Sequence, residues 1–108
     1  MALYLVQLSY TPQAWAALAR RPQNRLEAVQ PVAERLGGRL LNKWFAFGEH
    51  DVVALLEMPN NVSAAAFSMA ISAGGAVKTF KTTPLMTMED GIEAMKATSA
   101  VTYKSPIT

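Results

Sequence analysis

The chain has 108 residues, a length typical of one domain. The absence of cysteine excludes disulfides, cysteine metal sites and thiol catalysis, and it suits a reducing cytoplasm. Hydrophobic residues make up 51% and charged residues 17%, which in so small a domain predicts an apolar interface between copies, and no apolar run reaches the ~18–20 residues that cross a membrane. The net charge is +2, but basic and aromatic residues do not alternate as single-stranded nucleic acid binding requires, so no nucleic-acid partner is expected.

The first elements predicted along the chain are a strand and a broken helical segment. Residues 2–10 are rich in Leu, Val and Tyr and predict a strand rather than a signal peptide. Thr11 and Pro12 have the form of an N-cap and a first helical residue. The helix that follows is expected to break near Pro22, because proline cannot donate to the preceding turn.

A longer amphipathic helix is predicted from about Asn24 until Gly37-Gly38 stops it. Two apolar runs, residues 39–47 and 52–58, then flank a polar stretch from Gly48 to Asp51. This pattern predicts two antiparallel strands joined by a tight turn.

The remaining elements are a helix, a strand and a short extra helix. Asn61 is the expected cap of an Ala-rich helix, and a β-branched run predicts a fourth strand that ends before Pro84. Thr87 and Asp90 have the spacing of a capping box and open the extra helix. We therefore divide the chain into a domain at 1–86 and a C-terminal helix and tail at 87–108.

The order of strands and helices is βαββαβ, the ferredoxin-like arrangement of an α+β domain. Val52, Ala54, Leu56 and Met58 form an apolar row that should lie under the helices. The opposite row also has an apolar centre, Val53 and Leu55, although a face in water would be mostly polar. We therefore expect a second copy to cover it and form a dimeric α/β barrel with a lined cavity; the alternative is cover by the chain's own tail.

The only histidine, His50, stands in the predicted turn beside Asp51, and both are candidate catalytic residues. An imidazole beside a carboxylate can be oriented and kept basic, as a general base requires. The alternative is a solvated turn histidine, with Asp51 capping backbone amides of the turn. One histidine and nearby carboxylates do not make a convincing metal site, and no metal or other cofactor is predicted.

Aromatic and amide side chains suggest a pocket for a flat organic molecule. Trp44 and Asn42 share one face of their strand and could combine stacking with a hydrogen bond. Gln7 lies on a mostly apolar row and needs a partner or a ligand, and Tyr4 completes the candidate ligand-binding set. The alternative for the aromatic residues is core packing.

Around this hairpin the chain resembles the GYD-domain family, named for a Gly-x-Tyr-Asp signature that here is Gly48-Glu49-His50-Asp51, with His50 in place of the usual tyrosine. The resemblance covers roughly residues 1–86. It implies a place in the dimeric α/β-barrel superfamily, which includes cofactor-free monooxygenases, isomerases, haem-handling enzymes and ligand sensors, and it implies no common activity for this branch.

Two functions are consistent with this sequence. The first is a small homo-oligomeric protein that binds an organic ligand, either between helices and sheet or inside the barrel. The alternative is a cofactor-independent monooxygenase or isomerase that uses His50 as its general base. Whether the protein is an enzyme is left open by the sequence.

Overall fold

A computed structural model describes residues 1–107 and shows an α+β domain with one four-stranded sheet. The last residue of the predicted tail, Thr108, lies outside the described residues. The elements in chain order are β1 (Ala2–Tyr10), α1 (Pro12–Arg20), α2 (Leu26–Arg35), β2 (Arg39–Phe45), β3 (Val52–Met58), α3 (Asn61–Ala73), β4 (Val77–Leu85) and α4 (Met88–Ala97), followed by a 3-10 turn at Thr98–Ala100. The predicted βαββαβ order and the extra C-terminal helix are confirmed.

The sheet is antiparallel throughout, with the strand order β2-β3-β1-β4. Its register is illustrated by Leu5, which pairs with Leu55 on β3 and with Thr83 on β4. The pairing of β2 with β3 shifts between Leu40 and Asn42, so Leu41 forms a bulge in this edge strand. As a result, β2 and β4 are the two edges, and the first strand of the chain lies in the middle.

The core lies between the sheet and the helices that cover one of its faces. All four residues of the predicted row on β3 are buried there, together with Tyr4, Val6 and Leu8 on β1. Tyr4 is 2% exposed and its hydroxyl donates to Asn61 Oδ1 at 2.7 Å. The prediction that this row faces the helices is therefore confirmed.

Helix ends follow the local chemistry of the sequence. Thr11 caps α1 by accepting from the Ala14 amide at 3.1 Å. At the end of α2, Gly37 has a φ of 87°, a conformation that glycine adopts without strain, and its amide donates to Glu34 O. The Gly38 amide donates to Ala33 O, which completes the predicted helix stop.

Several predicted boundaries are wrong by one or two residues, and β2 ends at Phe45 rather than at Phe47. Asn60, rather than Asn61, caps α3, and its side chain accepts from the Ser63 amide at 2.9 Å. Strand β4 continues through Pro84 to Leu85, because an edge strand can accept a proline that lacks an amide donor.

The helix-free face of the single chain is an open sheet rather than a closed barrel. Its centre carries half-buried apolar side chains from β1 and β3, namely Leu3, Leu5, Val53 and Leu55. Helix α4 stands apart from the domain and has no buried residue. The radius of gyration is accordingly 17.5 Å, against about 13 Å for a compact chain of this length. None of the helices within residues 1–107 has both the length and the apolar character needed to cross a membrane.

Candidate functional site

The β2–β3 hairpin places Asp51 against the end of β1. The Asp51 amide donates to Leu8 O at 2.8 Å, and its carbonyl accepts from the Ala46 amide at 2.8 Å. Its Oδ2 atom accepts two further bonds, from the Tyr10 amide at 2.9 Å and from Trp15 Nε1 at 3.0 Å. The Asp51 carboxylate therefore fixes the junction between β1 and α1.

His50 lies next to Asp51 in sequence but shares no hydrogen bond with it among the residues described. Its Nδ1 atom is buried and has no hydrogen-bond partner within residues 1–107. The Asp51 carboxylate is directed to Tyr10 and Trp15 instead, so the backbone amide that it caps lies on β1 and not, as the alternative interpretation expected, within the turn. The two candidate catalytic residues are thus neighbours without being a hydrogen-bonded pair.

The contact of Trp15 with Tyr10 extends this arrangement toward the helices. The two rings meet edge to face, with centroids 5.3 Å apart and planes at 81°. Burial raises the pKa of the Tyr10 hydroxyl above its ordinary value; Arg25 acts to lower this pKa, and the Asp51 carboxylate acts to raise it. The ring contact with Tyr10 and the charge-assisted hydrogen bond to Asp51 together hold Trp15 in place.

A groove with a volume of about 560 Å³ opens beside Trp15, between edge strand β2 and the helical layer. Its walls come from α1, from the connection before α2 and from β2. They are mostly apolar and aromatic, and they include Trp15, Leu18, Pro22, Leu26, Phe45 and Val52. A groove of this size and character matches the usual features of small-molecule sites.

The polar groups around the groove are cationic or neutral. Lys43 is the charged residue in its lining, and Gln23 and Asn24 supply amide groups. Arg25 Nη1 donates to Gln23 Oε1 at 3.4 Å, which brings a second cation to the rim. This combination favours an apolar molecule that carries a negative charge.

The four predicted ligand-binding residues do not share one site. Gln7 and Trp44 both pair with Val53, and Asn42 pairs with Leu55, so these three residues lie on the helix-free face. Trp44 also borders the groove through its place in the edge strand. Tyr4 lies on the other face, inside the core, where its hydroxyl is bonded to Asn61.

Neither Lys43 nor Phe45 is among the ligand-binding residues predicted from the sequence. Both pair with buried residues of β3, Lys43 with Ala54 and Phe45 with Val52, so both face the helical layer. Side chains alternate between the two faces of a strand, but a bulge exchanges the faces for the residues that follow it. The bulge at Leu41 is not apparent from the sequence, so the face on which Lys43 and Phe45 lie could not be predicted. Within residues 1–107, no group of three or more histidine, cysteine or acidic residues is arranged to hold a metal ion.

Comparisons with known proteins assign the chain to a family. The profile of the GYD domain matches residues 4–95, so the match continues past the expected limit near residue 86 and into α4. A search of curated protein sequences found no significant match. Among solved structures, the crystal structure of an uncharacterized NIPSNAP domain protein from Burkholderia xenovorans is similar at 12% sequence identity, covering 81% of this chain and 94% of that chain, with a TM-score of 0.44. Since the GYD profile matches most of the length of this chain, the chain belongs to the GYD domain family.

Proposed function

We propose that this protein binds a small organic molecule, apolar and aromatic in its body and anionic at one end, in the groove beside β2. The observation that supports this most strongly is the groove itself, about 560 Å³ in volume and lined by three exposed aromatic side chains, Trp15, Trp44 and Phe45. Trp15 is held by Asp51, whereas Phe45 remains 62% exposed. Exposed aromatic surface of this kind is costly in water and is typical of binding sites.

Lys43 is the reason that the proposed ligand carries a negative charge. The Lys43 ammonium has no ion pair within the described residues, and no carboxylate lines the groove beside it. A ligand carboxylate, sulfonate or phosphate would meet this cation and the amide groups of Gln23 and Asn24. The apolar part of the ligand would lie against Leu18 and Phe45.

The proposal includes assembly into a homodimer in the cytoplasm, a location that suits a chain without cysteine. Leu5 and Leu55 lie at the centre of the helix-free face, where a second sheet would remove them from water. Complete burial of a fully exposed leucine contributes about 1.5–3 kcal/mol, and each of these half-buried side chains would gain the part that corresponds to its remaining exposed area. Gln7, Asn42 and Trp44 would then line the chamber of the barrel, a second possible place for the ligand.

The test uses two fluorescent probes of similar shape, anilinonaphthalene sulfonate, which is anionic, and uncharged N-phenylnaphthylamine. Each is titrated into wild-type protein while tryptophan emission and probe emission are followed. Lys43→Gln should weaken the anionic probe by about 1 kcal/mol, roughly fivefold in Kd, and leave the neutral probe unchanged. Phe45→Ala should weaken both probes.

The matched control is Lys78→Gln, which removes an exposed lysine of β4, outside the groove. Binding of both probes should be unchanged in this variant. If wild-type protein binds neither probe, or if Lys78→Gln and Lys43→Gln weaken the anionic probe equally, the proposed site is incorrect. Circular dichroism of each variant establishes that the fold is retained.

A second candidate function is catalysis by a cofactor-independent monooxygenase or isomerase with His50 as general base. It draws on one observation, the buried His50 Nδ1 atom that has no hydrogen-bond partner within residues 1–107. An enzyme of this type should lose turnover of activated phenols or enols in His50→Ala while probe binding is retained. Unchanged turnover in His50→Ala would exclude His50 as the base.

A further inference from the structure

Helix α4 is amphipathic, yet no other part of the chain that the structure describes buries its apolar stripe. The stripe is formed by Met88, Ile92 and Met95, which follow the spacing of one helix face and are 82%, 50% and 71% exposed. Thr87 caps the helix by accepting from the Asp90 amide at 3.0 Å, so the helix is well formed locally. A capped helix with an uncovered apolar stripe is expected to pack against another surface.

The groove beside β2 is apolar, and no residue of α4 of the same chain lines it. Strand β4 ends at Leu85, which pairs with Leu3 at one corner of the sheet. Phe45 lies at the opposite corner, about 22 Å away across three strand spacings and five residues of strand length. Two residues connect β4 to α4, so the Cα atom of Ile92 lies within about 16 Å of Leu85, short of Phe45.

Charge distinguishes the groove from other apolar surfaces that could receive α4. The helix begins with Glu89 and Asp90; its third acid, Glu93, pairs with Lys96 at 3.4 Å, so the helix as a whole carries a net negative charge. The groove presents Lys43, and three exposed arginines adjoin its lining residues in the sequence, namely Arg20, Arg21 and Arg25. A helix with a net negative charge and an apolar groove beside cationic residues are complementary in charge as well as in hydrophobicity.

We propose that α4 of a second copy of this chain lies across the groove and covers its open side. Met88, Ile92 and Met95 then face Leu18 and Phe45, while the acidic residues of α4 meet the cationic residues beside the groove. By two-fold symmetry each copy gives one helix and receives one. This inference extends the proposed ligand site, because the complete pocket contains residues of two chains and is open without the partner's helix.

The absence of cysteine allows a direct test by disulfide cross-linking of the full-length chain. Two single-cysteine variants of different tag length, Phe45→Cys and Ile92→Cys, are co-expressed and oxidised, and the products are separated on a non-reducing gel and identified by mass spectrometry. A disulfide between the two different chains is expected. The second pair, Leu18→Cys with Met95→Cys, serves if either first variant fails to fold.

The control pair is Val62→Cys with Ile92→Cys, because Val62 is 79% exposed on α3 and lies away from the groove. The mixed disulfide at Phe45 should exceed that at Val62 at least tenfold. A third pair, Gln7→Cys with Ile92→Cys, reports whether α4 lies on the helix-free face instead. Equal yields at Phe45 and Val62, or preferential cross-linking to Gln7, would overturn the proposal.

Cover by the chain's own helix is tested separately with both cysteines in one chain. If the Phe45→Cys/Ile92→Cys double variant closes an internal disulfide in dilute solution, the helix belongs to its own groove and the proposal is wrong. None of these measurements requires a ligand. Cross-linking without probe binding would therefore refute the ligand site alone, and probe binding without cross-linking would refute the exchanged helix alone.

Discussion

Replacing Asp51 tests the central claim about the hairpin, that its carboxylate is a structural acceptor. Asp51→Ala removes the acceptor of the Tyr10 amide and of Trp15 Nε1 together, since both bonds end on Oδ2. The Tyr10 amide is partly buried and would lose its partner, which costs about 1–3 kcal/mol, while the more exposed indole bond adds less. We therefore expect a loss of about 2–3 kcal/mol in the free energy of unfolding, or roughly 10 °C in Tm.

Two further variants divide this loss between the bonds. Asp51→Asn keeps an acceptor oxygen without the charge and should lose about half as much as Asp51→Ala. Trp15→Phe keeps the ring against Tyr10 but lacks the indole donor, and should lose about 0.5–1 kcal/mol. In an Asp51→Ala background, Trp15→Phe should cost almost nothing, because the bond it removes is already gone.

The assay is urea denaturation followed by circular dichroism, with Glu49→Ala as the matched control. Glu49 is an exposed neighbouring acid whose backbone carbonyl, rather than its side chain, accepts from Ser9 Oγ, so Glu49→Ala should stay within about 0.5 kcal/mol of wild type. The reasoning is refuted if Asp51→Ala is no more destabilising than Glu49→Ala, or if Trp15→Phe costs the same in both backgrounds.

Three other outcomes are expected from the core and the helix ends. Gly38→Ala should destabilise the fold by about 3 kcal/mol or more in urea denaturation, because its Cβ would collide with the backbone carbonyl oxygen of Glu57; a loss under about 1 kcal/mol would contradict this. Tyr4→Phe should cost about 1 kcal/mol by the same measurement, since it removes the hydroxyl bonded to Asn61 and leaves the ring in place, and an unchanged midpoint would argue against that bond. Because the pKa of Tyr10 is raised above 10.0, the stabilising contribution of its hydroxyl should be complete below that pH and decline as pH rises through the higher folded-state pKa. When unfolding is measured from about pH 8 to about pH 11, Tyr10→Phe should therefore lose less stability than wild type as pH rises. Identical profiles for the two proteins would refute this assignment.

The fold could be predicted because its signals are local. Thr11 with Pro12, Gly37 with Gly38, and the alternation along β3 each depend on a few neighbouring residues, and each is confirmed. The errors also have local causes. Asn60 and Asn61 are equally good caps by composition, and the end of β4 at Leu85 depends on β4 being an edge strand, which only the assembled sheet determines.

The groove could not be predicted from the sequence, because it is formed by segments that meet only in the folded domain. Trp15 lies on α1 and Phe45 on β2, and nothing in their spacing indicates a shared cavity. The adjacency of His50 and Asp51 suggested a catalytic pair. The structure directs the Asp51 carboxylate to Tyr10 and Trp15, because β1 and α1 supply donors that a local view of the turn does not include.

The central position of β1 has a consequence for how the chain folds. Leu5 finds its first neighbour, Leu55, after about half of the sequence has been synthesised, and its second, Thr83, only after most of it has. Long-range pairing of this kind slows folding, since loop closure must precede the contacts that reward it. Until β4 arrives, β1 has an unpaired apolar edge, and during synthesis that edge is the segment most exposed to aggregation and to chaperones.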